Sequence, residues 1–132
     1  MIKDINRPEV KGVSVAVVRT KIEGDAASEW NVYLLNRNKE TLVNVFVSSS
    51  GYGNAGEKTA TMRHFFTEVL PNTFHKIEPI DSAIFGITNE YLVSYFIDNQ
   101  IFDKSFIFQP NTIQIQSLSL IEPFGFEGLE LV

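Results

Sequence analysis

The chain has no cysteine, so neither disulfides nor thiolate metal sites hold it together. Long apolar runs are also missing. No stretch approaches the roughly 20 residues that a membrane-crossing helix needs, and the start, Met1 to Pro8, is charged and lacks the apolar centre of a secretory leader. These absences predict a cytoplasmic protein with no membrane contact. Positive charge is scarce in the second part: residues 1–80 hold ten Lys/Arg and nine Asp/Glu, whereas residues 81–132 hold one Lys and seven Asp/Glu. Phosphate backbones are gripped by clustered Lys and Arg, and here basic residues occur at most in pairs, such as Arg19 with Lys21. Direct nucleic-acid binding is disfavoured.

Chemistry-bearing patterns are equally thin. Only His64 and His75 could serve as an imidazole base, and no G-x-S-x-G elbow accompanies Ser48-Ser49-Ser50. His64, Glu68, His75 and Glu78 could be imagined as metal ligands, but their spacing matches no standard motif, and solvated or locally bonded side chains explain them better. Asp98 and Asp103 flank a turn and read as solvated turn residues, not as a glycosidase pair. Gly51-Tyr-Gly53-Asn-Ala-Gly56 matches G-x-G-x-x-G. A phosphate cradle needs that turn to open a helix after a parallel strand, and neither is expected here, so it reads as a flexible loop. No catalytic residue, metal site or cofactor is expected.

What is present is strand patterning. The chain has 132 residues, enough for one domain with a real core, is 44% hydrophobic, and carries eleven Phe. Trp30, Val32 and Leu34 alternate, as do Val43, Val45 and Val47, and side chains of a strand change face at every residue. The pattern predicts a β-hairpin pairing Leu34 with Val43 and Trp30 with Val47 around a polar loop at Arg37 to Glu40. A first strand is expected at Val13 to Ile22, with Val13, Val15 and Val17 on one face and a turn at Glu23 to Ser28 after it. Ser48 to Lys58 reads as a long Gly- and Ser-rich loop.

In Thr59 to Leu70, Met62, Phe65, Phe66, Val69 and Leu70 fit a helical stripe, but three threonines and flanking aromatics favour a strand. Pro71-Asn72-Thr73 and Pro110-Asn111-Thr112 read as inter-strand corners. Phe74 to Ile77 should be a short strand and Ala83 to Ile87 a short helical turn. Tyr91 to Ile97 and Ile101 to Phe108 form a second hairpin about Asp98-Asn99-Gln100. A three-residue loop sets Leu92 opposite Phe106, and a two-residue turn shifts that pairing by one. Thr112 to Ile121 changes parity near Ser117, as a bulged strand would.

The whole predicts a single all-β domain over 1–132, an antiparallel β-sandwich of about seven to eight strands with at most one short helix. Residues 1–11 form a lead-in and 122–132 an apolar tail that must dock on something. On the expected first hairpin, Tyr33, Leu35, Leu42 and Phe46 share the face opposite Trp30. With Phe124, Phe126, Leu129 and Leu131 of the tail they are the candidate interface.

Val13-Ser-Val-Ala-Val-Val18, Glu29-Trp-Asn-Val-Tyr-Leu-Leu-Asn36, Glu68-Val-Leu-Pro-Asn-Thr73 and Asn89-Glu-Tyr-Leu-Val-Ser-Tyr-Phe96 together resemble the Smr-associated domain, a β-rich region beside the Smr domain of MutS2-like bacterial proteins. The resemblance implies a sandwich that accompanies DNA processing without performing it, and it transfers no catalytic residue. The sequence holds no Smr domain. The function expected is therefore a non-enzymatic binding or assembly module whose partner is another protein or a second copy, a homodimer. The alternative is a small-molecule or carbohydrate binder using exposed aromatics beside the Ser48 to Lys58 loop; Trp30 reads as core through its expected pairing with Val47, which leaves the tyrosines Tyr33, Tyr52, Tyr91 and Tyr95, with Tyr52 and Asn54 on the ligand loop.

Overall fold

A computed structural model describes residues 8–21 and 28–132. The expected lead-in before residue 8, Ile22, and the turn expected from Glu23 lie outside the described residues. The described residues form β1 (Val13–Lys21), β2 (Ser28–Asn36), β3 (Leu42–Tyr52), β4 (Met62–Val69), β5 (Thr73–Pro79), β6 (Thr88–Ile97), β7 (Gln100–Phe108), β8 (Ser119–Ile121) and β9 (Phe126–Leu131). They build a five-stranded sheet ordered β5-β2-β1-β9-β8 and a four-stranded sheet ordered β4-β3-β6-β7, both antiparallel. The fold is the all-β sandwich that the alternation predicts.

Alternation also predicts which side chains meet inside. Val13, Val15 and Val17 of β1 and Val32 and Leu34 of β2 pack against Val45, Val47, Tyr91 and Phe106 of the other sheet. Val43 leaves this set. Asn44 has a positive φ of 50°, a bulge interrupts the β3–β6 register between Val43 and Phe46, and Val43 turns outward.

The predicted first hairpin does not form. β2 pairs with β1 and β5, β3 pairs with β4 and β6, and residues 37–41 cross from one sheet to the other. Alternation fixes which face of a strand is apolar but not which strand lies beside it, and a polar loop of this length also spans the roughly 10 Å between stacked sheets. The corner is held by the buried side chain of Asn36. Its amide donates to the carbonyls of Glu40 (3.1 Å), Val69 (3.2 Å) and Leu70 (3.1 Å), and its oxygen accepts the Asn38 N–H at 2.9 Å. The carbonyls of Val69 and Leu70 come from the end of β4, so one side chain binds β2 to the opposite sheet.

Other local readings are refined. Thr59 to Leu70 contains a strand, β4, and no helix. Ser48 to Tyr52 continues β3, which shortens the expected Gly- and Ser-rich loop; pairing on both edges with β4 and β6 outweighs the weak strand preference of Ser and Gly. The β6–β7 hairpin takes the two-residue turn, so Leu92 faces Ser105 and Tyr91 faces Phe106. The parity change near Ser117 is a 3₁₀ turn at Ile115–Ser117, not a bulge, so Pro110-Asn111-Thr112 leads into that turn and not into a strand. The helical turn expected near Ala83 is a 3₁₀ turn at Ser82–Ile84, capped by the Asp81 carboxylate.

The apolar tail docks as a strand. β9 lies between β1 and β8, with Leu129 and Leu131 against the main core. The turn before it folds over the outer face of the five-stranded sheet, where Phe124 and Phe126 join Ile121, Ala16, Val18, Leu35 and Tyr33 in a second, smaller core. Arg37 clamps that turn, donating from Nη2 to the Glu122 carbonyl (3.0 Å) and Glu130 Oε1 (3.0 Å), with its guanidinium 5.6 Å from the centre of the Phe124 ring.

Candidate functional site

Two features remain after the fold is accounted for: a polar cluster at one mouth of the sandwich and a bare apolar sheet face. The cluster converges on Glu78 of β5. Glu78 Oε1 lies 2.7 Å from His64 Nε2 of β4 and accepts the Ser49 hydroxyl of β3 at 2.9 Å; Oε2 accepts the Tyr91 hydroxyl of β6 at 3.1 Å. One carboxylate of the five-stranded sheet thus takes side chains from three neighbouring strands of the other sheet. Burial, with the Glu78 charge and its hydrogen bond adding to it, pushes the Tyr91 phenol above its ordinary range.

A cleft of about 250 Å³ lies beside the cluster, lined in part by Ser49, Met62, Glu78, Asn89 and Tyr91. Hydrolytic triads place imidazole between hydroxyl and carboxylate. Here the carboxylate is in the middle and takes the serine hydroxyl itself, so Ser49 is not primed as a nucleophile. His75 stands apart, its ring 4.8 Å from that of Phe66. Among the described residues, no three His, Asp or Glu side chains converge as metal ligands. The arrangement is that of an inter-sheet pin.

The aromatic residues considered for stacking do not share a platform. Tyr91 and Tyr95 are buried in the core, Trp30 packs edge-on to Phe85 at 5.1 Å, and Tyr33 lies in the second core. Tyr52 and Asn54 are exposed, and the Tyr52 hydroxyl lies 3.3 Å from Glu90 Oε1. Gly53 to Gly56 make a tight turn, with the Gly53 N–H donating to the Glu57 carbonyl at 2.9 Å, and a strand follows it, not a helix.

The candidate interface residues separate for the same reason that the first hairpin does not form. Leu35 and Leu42 are 0% exposed, one in each core, and offer no surface to a partner. Tyr33, Phe124 and Phe126 join Phe74 in an aromatic cluster with ring centres 4.7–5.6 Å apart for the pairs of Phe74 with Tyr33, Phe124 and Phe126. Leu129 and Leu131 are spent on the main core. Of the eight, Phe46 alone stands on a bare face, 53% exposed.

Phe46 marks a surface that the sequence reading did not assemble. On the outer face of the four-stranded sheet its ring lies 4.8 Å from that of Phe65 (51% exposed), and Leu92 (47%) stands nearby with Val43 and Ile107 at the periphery. The registers arrange the face in rows across the strands. One row reads Phe65, Phe46, Ser94, Asp103 and the next Arg63, Ser48, Leu92, Ser105. Half-exposing a Phe or Leu forfeits roughly 1 kcal/mol of burial energy each. The other sheet covers part of its outer face with residues 121–126; this one has no such cover among the described residues.

The strand edges contrast with the face. β7 is a nine-residue edge strand, yet Lys104 points inward from its middle, with Nζ 5.2 Å from the centre of the Phe106 ring and 3.0 Å from the Val132 carbonyl oxygen. An inward charge on an edge strand obstructs pairing with another chain. β8 has only three residues, and β5 ends in Pro79. Compared with known proteins, the chain matches no family model and no curated protein. No helix among the described residues is long and apolar enough to cross a membrane.

Proposed function

We propose that the protein is a non-enzymatic binding or assembly module whose contact surface is the outer face of the four-stranded sheet. The observation that carries this reading is the exposed Phe46, Phe65 and Leu92 patch on one sheet face, whereas Phe124 and Phe126 fold over part of the other and an inward lysine obstructs the β7 edge. Contiguous exposed apolar surface on a small domain marks an interaction site. Arg63 is the one basic side chain on the face among the described residues, so neither a nucleic acid nor an anionic membrane enters the reading. The resemblance to the Smr-associated domain is compatible with a module that accompanies another activity. We place it in the cytoplasm, a setting that a cysteine-free fold accommodates.

Site-specific photocrosslinking in living cells tests this. A photoreactive phenylalanine analogue at Phe46 or Phe65 is expected to give adducts of defined mass that Leu92→Asp abolishes, and the same group at exposed Leu120 is expected to give none. Equal adduct yields at Phe46, Phe65 and Leu120 would overturn the reading.

A further inference from the structure

We infer that the cleft beside Glu78 is a binding site for a small organic cation of the amino alcohol class, with one positive charge and one neutral donor; this does not rest on the reading of the outer sheet face. The cleft is a gap in the interior surface of the four-stranded sheet. Ser49 pairs with Tyr91 and, one row further along β3 and β6, Gly51 pairs with Asn89. Strand faces alternate, so all four positions look into the sandwich. Gly51 has no side chain, which leaves the second row hollow: a Cβ there would lie 2.9 Å from Thr59 Cγ2 and 3.2 Å from Asn89 Oδ1. The space is about 250 Å³, below the roughly 300–1,000 Å³ of sites for drug-sized ligands. It has room for about eight water-sized groups at roughly 30 Å³ each.

The donors facing this cleft are committed, and its acceptors are not. The Ser49 and Tyr91 hydroxyls donate to Glu78, and the Thr59 hydroxyl donates to the Ala60 carbonyl at 3.1 Å. The Gly51 N–H goes to Thr59 Oγ1 at 2.7 Å, and the Asn89 amide donates to the Ile84 and Ile87 carbonyls at 2.9 and 3.1 Å. A carboxylate has about four lone-pair positions. Glu78 fills two on Oε1, with His64 and Ser49, and one on Oε2, with Tyr91, which leaves one on Oε2. Asn89 is 3% exposed, yet no hydrogen bond reaches its Oδ1 among the described residues, and it opens on the cleft that it lines. An amide oxygen at that depth calls for a donor. The guest therefore donates at both ends. One carboxylate matches one positive charge, no Lys or Arg among the described residues lines the cleft, and a second buried charge would go uncompensated. Met62 and Ile84 give the remaining wall an apolar surface that suits methylene groups, and a single carboxylate falls short of the oxygen set that a hard metal ion takes. Adjacent inward rows of a strand are roughly 7 Å apart, a span that four methylenes bridge. An amino alcohol of that length sets its ammonium on Glu78 and its hydroxyl on Asn89.

An NMR titration of the purified chain with 4-amino-1-butanol tests this at pH 7.5, above the ordinary imidazole value of about 6.5 and below the ordinary amine value of about 10.4. The backbone amides of Gly51, Thr59 and Asn89 are expected to shift together and saturate as one site, while those of Phe46 and exposed Leu120 stay in place. n-Butylamine, which lacks the second donor, should bind several-fold more weakly, and 4-hydroxybutyrate, which carries the opposite charge, should not bind. Glu78→Gln keeps the size and removes the charge, and it should weaken binding at least tenfold. Gly51→Ala fills the hollow and should weaken it as well. The comparison of the three compounds on the parent chain does not depend on the folding of either variant. No saturable shift at these amides, shifts scattered over carboxylates outside the cleft, or equal binding of 4-hydroxybutyrate overturns the inference. A folded Glu78→Gln chain that binds as tightly as the parent overturns it too.

Discussion

The Tyr91 hydroxyl, on the interior face of β6, donates to Glu78 Oε2 at 3.1 Å across the gap between the two sheets. With Ser49 and His64 on the other carboxylate oxygen, this makes Glu78 the polar tie of one open side of the sandwich, the side where the edge strands β4 and β5 meet. Hydrogen bonds to a charged group contribute about 1.5–3 kcal/mol, and a buried donor left without its acceptor costs about 1–3 kcal/mol. Glu78→Gln keeps the size and replaces one acceptor by a donor, so it should lower stability by about 1–3 kcal/mol, and Tyr91→Phe by about 1 kcal/mol. Because the two groups touch, the double variant should lose less than the sum. Urea denaturation checks this; an unchanged midpoint for Glu78→Gln would show that the pin carries no load.

Gly128 lies mid-sheet on β9, opposite Val18 of β1 and Ser119 of β8. A Cβ there would sit 2.5 Å from the Val17 carbonyl oxygen, a backbone atom in the centre of the sheet that has nowhere to retreat. Gly128→Ala should therefore cost about 1–3 kcal/mol, the usual penalty of overpacking, despite alanine's better backbone entropy. A thermal melt within a degree of the parent protein would contradict the close approach of β9 to β1.

Strand existence was legible in the chain because burial on one face writes itself as alternation: Val13-Val15-Val17 and Val32-Leu34 announce the core they enter. Strand partners were not legible, because alternation is the same whether β2 meets β3 beside it in one sheet or across the core in the other. Asn36, the residue that decides between a hairpin and a crossing, reads in sequence as an ordinary turn residue. That ambiguity carries through to the site: alternation puts Tyr33, Leu35, Leu42 and Phe46 on one surface, but the crossing at 37–41 sends three of them into two separate cores. Phe65 and Leu92 were visible as apolar residues, but placing them beside Phe46 needed the β3–β4 and β3–β6 registers. The Glu78 pin was hidden for the same reason, since His64, Ser49 and Tyr91 are gathered by topology and share no sequence spacing.

The β6–β7 turn places Asp98 (φ 49°) and Asn99 (φ 65°) both in the left-handed region, the pattern of a two-residue hairpin whose twist matches its strands. Glycine meets that requirement without strain at the second position. Asn99→Gly should be neutral or stabilising by a few tenths of a kcal/mol, whereas Asn99→Val, β-branched and strained at positive φ, should cost about 1–2 kcal/mol. Equal stability of the two variants in chemical denaturation would argue for the three-residue loop and its shifted register.

Glu130 of β9 accepts hydrogen bonds from Arg37 and from the Ser14 hydroxyl. Burial by itself would raise its pKa, but the two hydrogen bonds and the guanidinium charge together outweigh burial and hold the carboxyl below its usual value. A carboxyl whose pKa is lower in the folded chain than in the unfolded one contributes stability above the unfolded value, about 4.3 for Glu. That contribution is lost as the pH falls through the folded value, because protonation then favours the unfolded chain. Glu130→Gln should accordingly melt lower than the parent at pH 7, by about 4 °C if the partly exposed pair contributes about 1 kcal/mol. The gap should close as the pH is taken below 4. Melting curves of the two proteins from pH 7 to pH 3 decide it: a gap that stays constant or widens on acidification would mean that Glu130 shapes the Arg37 clasp by packing alone and that its charge adds nothing to the fold.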